Sequence, residues 1–195
     1  MSVAVWKEKR TLPIAVIGFS FIMAEISAGT WVPIALTVSG FSGSAAAFAF
    51  GVFWIVITIG RVLGGFVVEA IGRFRTVLIS TLVTAAGIFV FMLGEVIALP
   101  FLGLVLWGLG MSMGFPMAVA AMSDDPRKAP FRINMIITVV YISSISVGPA
   151  LGSVGEVAGI YVAFSIPLAL MILSAILSPV TKKFPLEEPE NISVR

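Results

Sequence analysis

Apolar and polar positions alternate along this chain on the scale of whole helices. Six apolar stretches run approximately over Leu12–Thr37, Ala45–Val68, Thr76–Leu93, Leu99–Met122, Ile133–Gly155 and Gly159–Val180. Each has the roughly 20-residue length that crosses a bilayer core. Lipid offers no hydrogen-bond partners to an exposed backbone, so each stretch is predicted to be a helix. The connections are short, so neighbouring helices run antiparallel and no separate soluble domain is expected. The organisation predicted is a segment 1–11, a six-helix membrane domain 12–180 and a solvated tail 181–195 containing Glu187, Glu188 and Glu190.

The gaps between the stretches differ in charge. Eleven of the 12 lysines and arginines fall in four gaps: Lys7, Lys9 and Arg10; Arg73 and Arg75; Arg127, Lys128 and Arg132; Lys182, Lys183 and Arg195. The alternate gaps, Val38–Ser44, Gly94–Pro100 and Gly155–Ile160, hold none. Cytoplasmic loops carry the excess of Lys and Arg, so both termini are expected in the cytoplasm of a multi-pass cell (plasma or inner) membrane protein. Lys7–Arg10 ahead of an apolar run resembles a secretory signal, but the run continues past signal length to about Thr37.

Composition agrees with this reading. The chain is 59% hydrophobic and 11% charged, with a mean hydropathy of +1.12, which excludes a water-soluble domain. A net charge of +2 is too small to suggest nucleic acid binding. There is no Cys and no His, which removes disulfides, thiol and Ser-His catalysis and ordinary zinc or haem sites. No enzyme class, metal or cofactor is expected. The chain also lacks the paired Asn-Pro-Ala of an aquaporin-like channel.

Small residues recur at four-residue spacing in Gly60 and Gly64, Gly110 and Gly114, and Gly148 and Gly152. Such pairs allow close helix packing in lipid, and Pro116, Pro149 and Pro167 are expected to bend their spans. Two charges stand at membrane depth. Glu25 lies about 20 Å from the basic edge and Arg61 about 12 Å from it, at 1.5 Å per residue. Each needs a partner or an aqueous cavity. The plain reading is an inert Glu25–Arg61 pair, or Arg61 snorkelling to the surface; the functional one is a proton or substrate-charge site. Trp54, Trp107 and Tyr141 also fall near mid-depth, where they either line a substrate cavity or pack between helices. Ser143, Ser144 and Ser146 are expected to bond within their own helix.

The most specific local pattern is Gly64-Gly65-Phe-Val-Val-Glu69-Ala-Ile-Gly72-Arg73-Phe-Arg75. A glycine, an acid four residues on, a glycine three further and two basic residues surround a short turn. This pattern resembles the signature loop of the major facilitator superfamily, between the second and third helices of a six-helix half, with Glu69 where the family usually has Asp. Glu25-Ile-Ser-Ala-Gly-Thr-Trp31, Gly110-Met-Ser-Met-Gly-Phe-Pro116 and Gly148-Pro149-Ala-Leu-Gly152 resemble the first, fourth and fifth helices of a C-terminal half.

The resemblance implies an all-α membrane fold, a 3+3 inverted-repeat half with both ends inside, and a transporter. Family members have two such halves with the path between them. The chain opens on Met1 and holds six spans, so the resemblance implies a second copy or a complementary six-helix half. The halves are related by an axis along the membrane normal, so two copies inserted the same way up form a parallel homodimer. The one-sided charge argues against an antiparallel pair. Glu69, Gly72, Arg73 and Arg75 would form a cytoplasmic latch, with Glu69 meeting the partner's fifth helix near Pro130–Asn134. The remaining alternatives are one chain of a two-chain transporter and a non-transporting membrane scaffold or regulator. The small-molecule substrate is not readable from these residues.

Overall fold

The computed structural model describes residues 5–94 and 99–183. The acidic part of the tail and the acid of the second bare gap lie outside the described residues. Within them the chain forms α1 (Thr11–Val38), α2 (Gly43–Ile71), α3 (Arg73–Met92), α4 (Leu99–Met122), α5 (Ala129–Ala158), α6 (Ile160–Ala163) and α7 (Ser165–Leu177), ending in a 3-10 turn over Ser178–Thr181. Among the described residues, six helical segments are long and apolar enough to cross a membrane, α1 to α5 and the composite Ile160–Thr181.

Local chemistry explains the boundaries. α1 ends in a Schellman motif. Gly40 takes φ +85, and the Phe41 N–H reaches the Leu36 carbonyl at 3.0 Å. Ser42 then caps α2 by accepting from the Ala45 N–H at 3.2 Å. α2 and α3 are separated by Gly72 alone, at φ 78, ψ 161. α5 and α6 are separated by Gly159 alone, at φ 95, ψ 152. Both glycines sit in a backbone region closed to other residues.

These two glycine hinges reveal an internal repeat. They stand 87 residues apart in the chain, at positions 72 and 159, and the same offset carries α2 onto α5 and α3 onto the sixth span. Packing follows the same symmetry. α3 lies chiefly against α4, as the sixth span lies against α1 and α3; α2 packs on α4 as α5 packs on α1. α1 and α4 therefore occupy the middle of the bundle, while α2, α5 and the sixth span are its least buried members.

Glycines let the α3 and α4 backbones approach closely where they cross. A Cβ on Gly87 would stand 2.7 Å from the Gly103 carbonyl oxygen, and one on Gly103 would stand 2.6 Å from the Phe91 nitrogen. Beside this crossing the chain breaks at Phe164, whose fully buried ring joins Phe91 (centroids 5.1 Å) and Trp107 (5.8 Å).

Of the glycine pairs at four-residue spacing, two pack within the chain. Gly60 meets Ser112 and Gly64 meets Met113; Gly110 meets Thr84 and Gly114 meets the Phe21 ring. The third pair does not. A Cβ on Gly148 would meet nothing within 4 Å, and one on Gly152 would touch Trp31 only at 3.6 Å. α4 and α5 run on as helix through Pro116 and Pro149. Pro167 is not interior, because the break at Phe164 places it in the first turn of α7, where a missing N–H is tolerated.

Candidate functional site

Glu25 sits midway along α1 and Arg61 lies ten residues before the end of α2. The Arg61 Nη2 stands 3.6 Å from the Glu25 Oε2, an ion pair slightly too long for a hydrogen bond. The two side chains differ in environment. Glu25 is 16% exposed and Arg61 is 45% exposed, on the open side of α2. Trp54 belongs to the same layer. It lies two turns before Arg61, and its ring approaches Gly29, one turn beyond Glu25 on α1. The three side chains give a half-open site with an acid, a base and an aromatic face at membrane depth. It can hold a charged or polar group of a solute, or exchange a proton at the carboxylate.

The other mid-depth aromatics lie elsewhere. Trp107 is wholly buried among Phe53, Phe91 and Phe164, with ring centroids 5.8 to 6.1 Å apart. Of its two expected places, cavity wall or helix packing, Trp107 takes the second, because the ring is enclosed by other rings. Tyr141 stands on the outward face of α5, 66% exposed. Ser144 and Ser146 bond within α5 as expected. Ser143 instead donates across to the Phe19 carbonyl of α1 at 3.0 Å, tying the two helices together.

The four basic gaps converge on one end of the bundle. Arg73 donates through Nη1 and Nη2 to both Asp124 oxygens at 2.7 and 2.6 Å, and through Nε to the Thr181 carbonyl at 2.6 Å. Arg10 donates to the same Asp124 at 2.7 Å and to the carbonyls of Val180 and Lys182. Glu8 accepts from Thr11, Lys128 and Arg132 at 2.6 to 2.9 Å. Burial pushes the Glu8 carboxyl up, but these hydrogen bonds and the Arg132 charge outweigh it and lower it from 4.5 to about 2. Burial also opposes ionisation of Asp124, and again Arg73 and Arg10 win, holding it below its ordinary 3.8.

Spacing alone does not mark Asp124, Glu8, Arg10 and Arg132, although Glu8 and Asp124, acids inside otherwise basic gaps, are a visible signal that each needs a cation. Among the residues of the Gly64–Arg75 loop pattern, Gly72 makes the turn and Arg73 is engaged within the chain. Glu69 and Arg75 are exposed and form no ion pair among the described residues. Gly65 faces open space. The bare gaps gather at the opposite end, where Ser39 donates to the Tyr161 hydroxyl at 2.8 Å and Phe41 meets Phe101.

No family model matches the chain. A curated relative, an uncharacterized MFS-type transporter of Yersinia pestis, is 29% identical over 167 residues, which is 84% of this chain and 44% of the relative. Among solved structures, the major facilitator superfamily transporter FucP in its outward conformation superposes with a TM-score of 0.82 at 16% identity, over 94% of this chain and 45% of that one. The POT family transporter PepTSo superposes with a TM-score of 0.80 at 19% identity, over 94% and 40%. The chain thus spans less than half the length of the relatives it matches. The loop pattern around Gly72, the inverted repeat and these likenesses agree, and the chain is a six-helix half of the major facilitator superfamily fold.

Proposed function

We propose that this chain is half of a membrane transporter that moves a small solute by alternating access between two six-helix halves. The observation that carries the reading is the Glu25–Arg61 pair, set at membrane depth beside Trp54 on a side of the bundle left open. A charge at that depth is costly unless it is paired or faces a cavity, and Arg61 is only partly covered by its partner. The pair binds the polar part of the solute, and Glu25 is the group that would carry a coupling proton. The exposed faces of α2 and α5 meet the opposing half. A second copy inserted the same way up supplies that half, with Glu69 of one copy near Pro130–Asn134 of the other. The basic end faces the cytoplasm of the cell membrane, where Glu69, Gly72, Arg73 and Arg75 form the latch.

Because the chain has no cysteine, introduced thiols report without background. Co-expression of differently tagged Glu69→Cys and Asn134→Cys chains should give a disulfide-linked pair in native membranes. A strictly monomeric protein in lipid, with no such product, would sink the homodimer. The relatives are about twice this length or longer, which favours a second reading in which the opposing half differs in sequence. Co-purification of a distinct six-helix partner supports that reading. Reconstituted transport unaffected by both Glu25→Gln and Arg61→Ala would remove the site.

A further inference from the structure

A groove on the outer surface between α2 and α3 belongs to no part of the site described above. It encloses about 320 Å³, its floor is formed by Gly110, Ser112 and Met113 of α4, and its lining is almost wholly apolar. α2 and α3 touch each other little because both lie on α4. Gly60 and Gly64 line the groove without side chains of their own, with Ser112 and Met113 packed against them at its floor. Leu63, Val67 and Ile79 form the rim and are 43 to 53% exposed. Such a rim faces hydrocarbon in a membrane, and an empty apolar groove forfeits dispersion contacts that a chain of methylenes restores.

The groove runs along α3 toward the basic end of the bundle. Arg75 lies one turn before Ile79 on the same helix face. It is exposed and makes no ion pair among the described residues, whereas Arg73 two residues earlier is fully engaged by Asp124. Thr76, the next residue, already lines the groove. Glu69 comes two residues after Val67, so at 100° per residue it points to the other side of α2, and Asp124 is taken up by Arg73 and Arg10. A guanidinium with no ion pair among the described residues therefore stands at headgroup level at the end of an acyl-sized groove.

We infer that this groove binds an anionic phospholipid of the leaflet at the basic end, with one acyl chain between α2 and α3 and the phosphate on Arg75. The site lies apart from the Glu25–Arg61 pair, on the α3 side of α2, but shares Arg75 with the proposed latch. It rests on charge complementarity at the mouth and on the fit of a hydrocarbon chain within.

The test is native mass spectrometry of delipidated protein titrated with phosphatidylglycerol or with phosphatidylcholine of the same acyl chains. Phosphatidylglycerol should bind about fivefold more tightly, the equivalent of about 1 kcal/mol for one basic residue at an anionic surface. Arg75→Ala should abolish that preference while leaving phosphatidylcholine bound, and Ile79→Trp, which fills the groove, should weaken both lipids. Lys7→Ala is the control for general basic attraction and should change neither. Equal affinity for the two lipids overturns the inference, as does a preference that survives Arg75→Ala or falls equally with Lys7→Ala. Binding untouched by Ile79→Trp, in protein that keeps its helical circular dichroism, overturns the acyl-chain placement. Displacement by free glycerol phosphate alone would show an ion site without a lipid.

Discussion

Arg73 and Asp124 meet fork to fork, Nη1 on Oδ1 at 2.7 Å and Nη2 on Oδ2 at 2.6 Å, although 51 residues separate them in the chain. The contact joins the α2–α3 turn to the end of α4, and Arg10 on the same carboxylate adds the start of α1. Charge-assisted, bidentate hydrogen bonds are the strong ones. Asp124→Ala should therefore lower stability by about 1–3 kcal/mol, measured by thermal unfolding in detergent. Arg73→Lys should lose part of this, because an ammonium cannot reproduce the fork.

The same end of the bundle sets an acid limit. Glu8 titrates at about 2 in the folded chain against 4.5 ordinarily, and Asp124 is shifted the same way from 3.8. A depressed carboxyl stabilises the fold fully above its unfolded value and loses that contribution as pH falls through the folded one. Stability should be flat in this respect from pH 5 to 8 and decline as pH falls below about 4.5 toward 2. Glu8→Gln should reduce that acid slope, read as melting temperature against pH.

At membrane depth the two halves of the ion pair should not be equivalent. Removing Arg61 leaves the mostly covered Glu25 carboxylate without its partner, whereas removing Glu25 leaves a half-exposed guanidinium that can extend toward an interface. Arg61→Ala should therefore destabilise the protein more than Glu25→Gln, by about 1 kcal/mol or more. The double variant should recover part of the loss. Unfolding midpoints for the three proteins, combined as a double-mutant cycle, decide it.

The six spans were legible because lipid imposes length and apolarity on each segment independently of its neighbours. The Gly72 hinge was legible because only glycine suits a one-residue reversal. The Glu25–Arg61 contact was foreseeable too, since two mid-depth charges on adjacent helices have few other partners. What escaped was pairing between elements distant in sequence. Asp124 became a hub because three gaps converge on it, and Trp107 became core because its neighbours Phe53, Phe91 and Phe164 come from three other spans. Spacing within a helix found only part of the glycine packing, since Gly110 of a four-residue pair joins the α3–α4 crossing but Gly87 and Gly103, which stand outside such pairs, form it too.

That crossing yields a contrast between two substitutions of one kind. A methyl group on Gly87 would collide with the α4 backbone at Trp107 and Gly103, and backbone cannot swing aside as a side chain can. α3 and α4 would have to separate, opening the ring cluster around Trp107 beside them. Gly148→Ala places the same methyl in open space on α5, where alanine is the better helix former by about 1 kcal/mol in soluble helices. Gly87→Ala should cost about 1–3 kcal/mol, the range for overpacking a tight interior, while Gly148→Ala should be neutral or slightly stabilising in isolated chains. If Gly148→Ala leaves thermal stability intact but weakens association of six-helix halves in lipid, the open face of α5 is occupied by a partner. Intact association would place that contact elsewhere on the bundle.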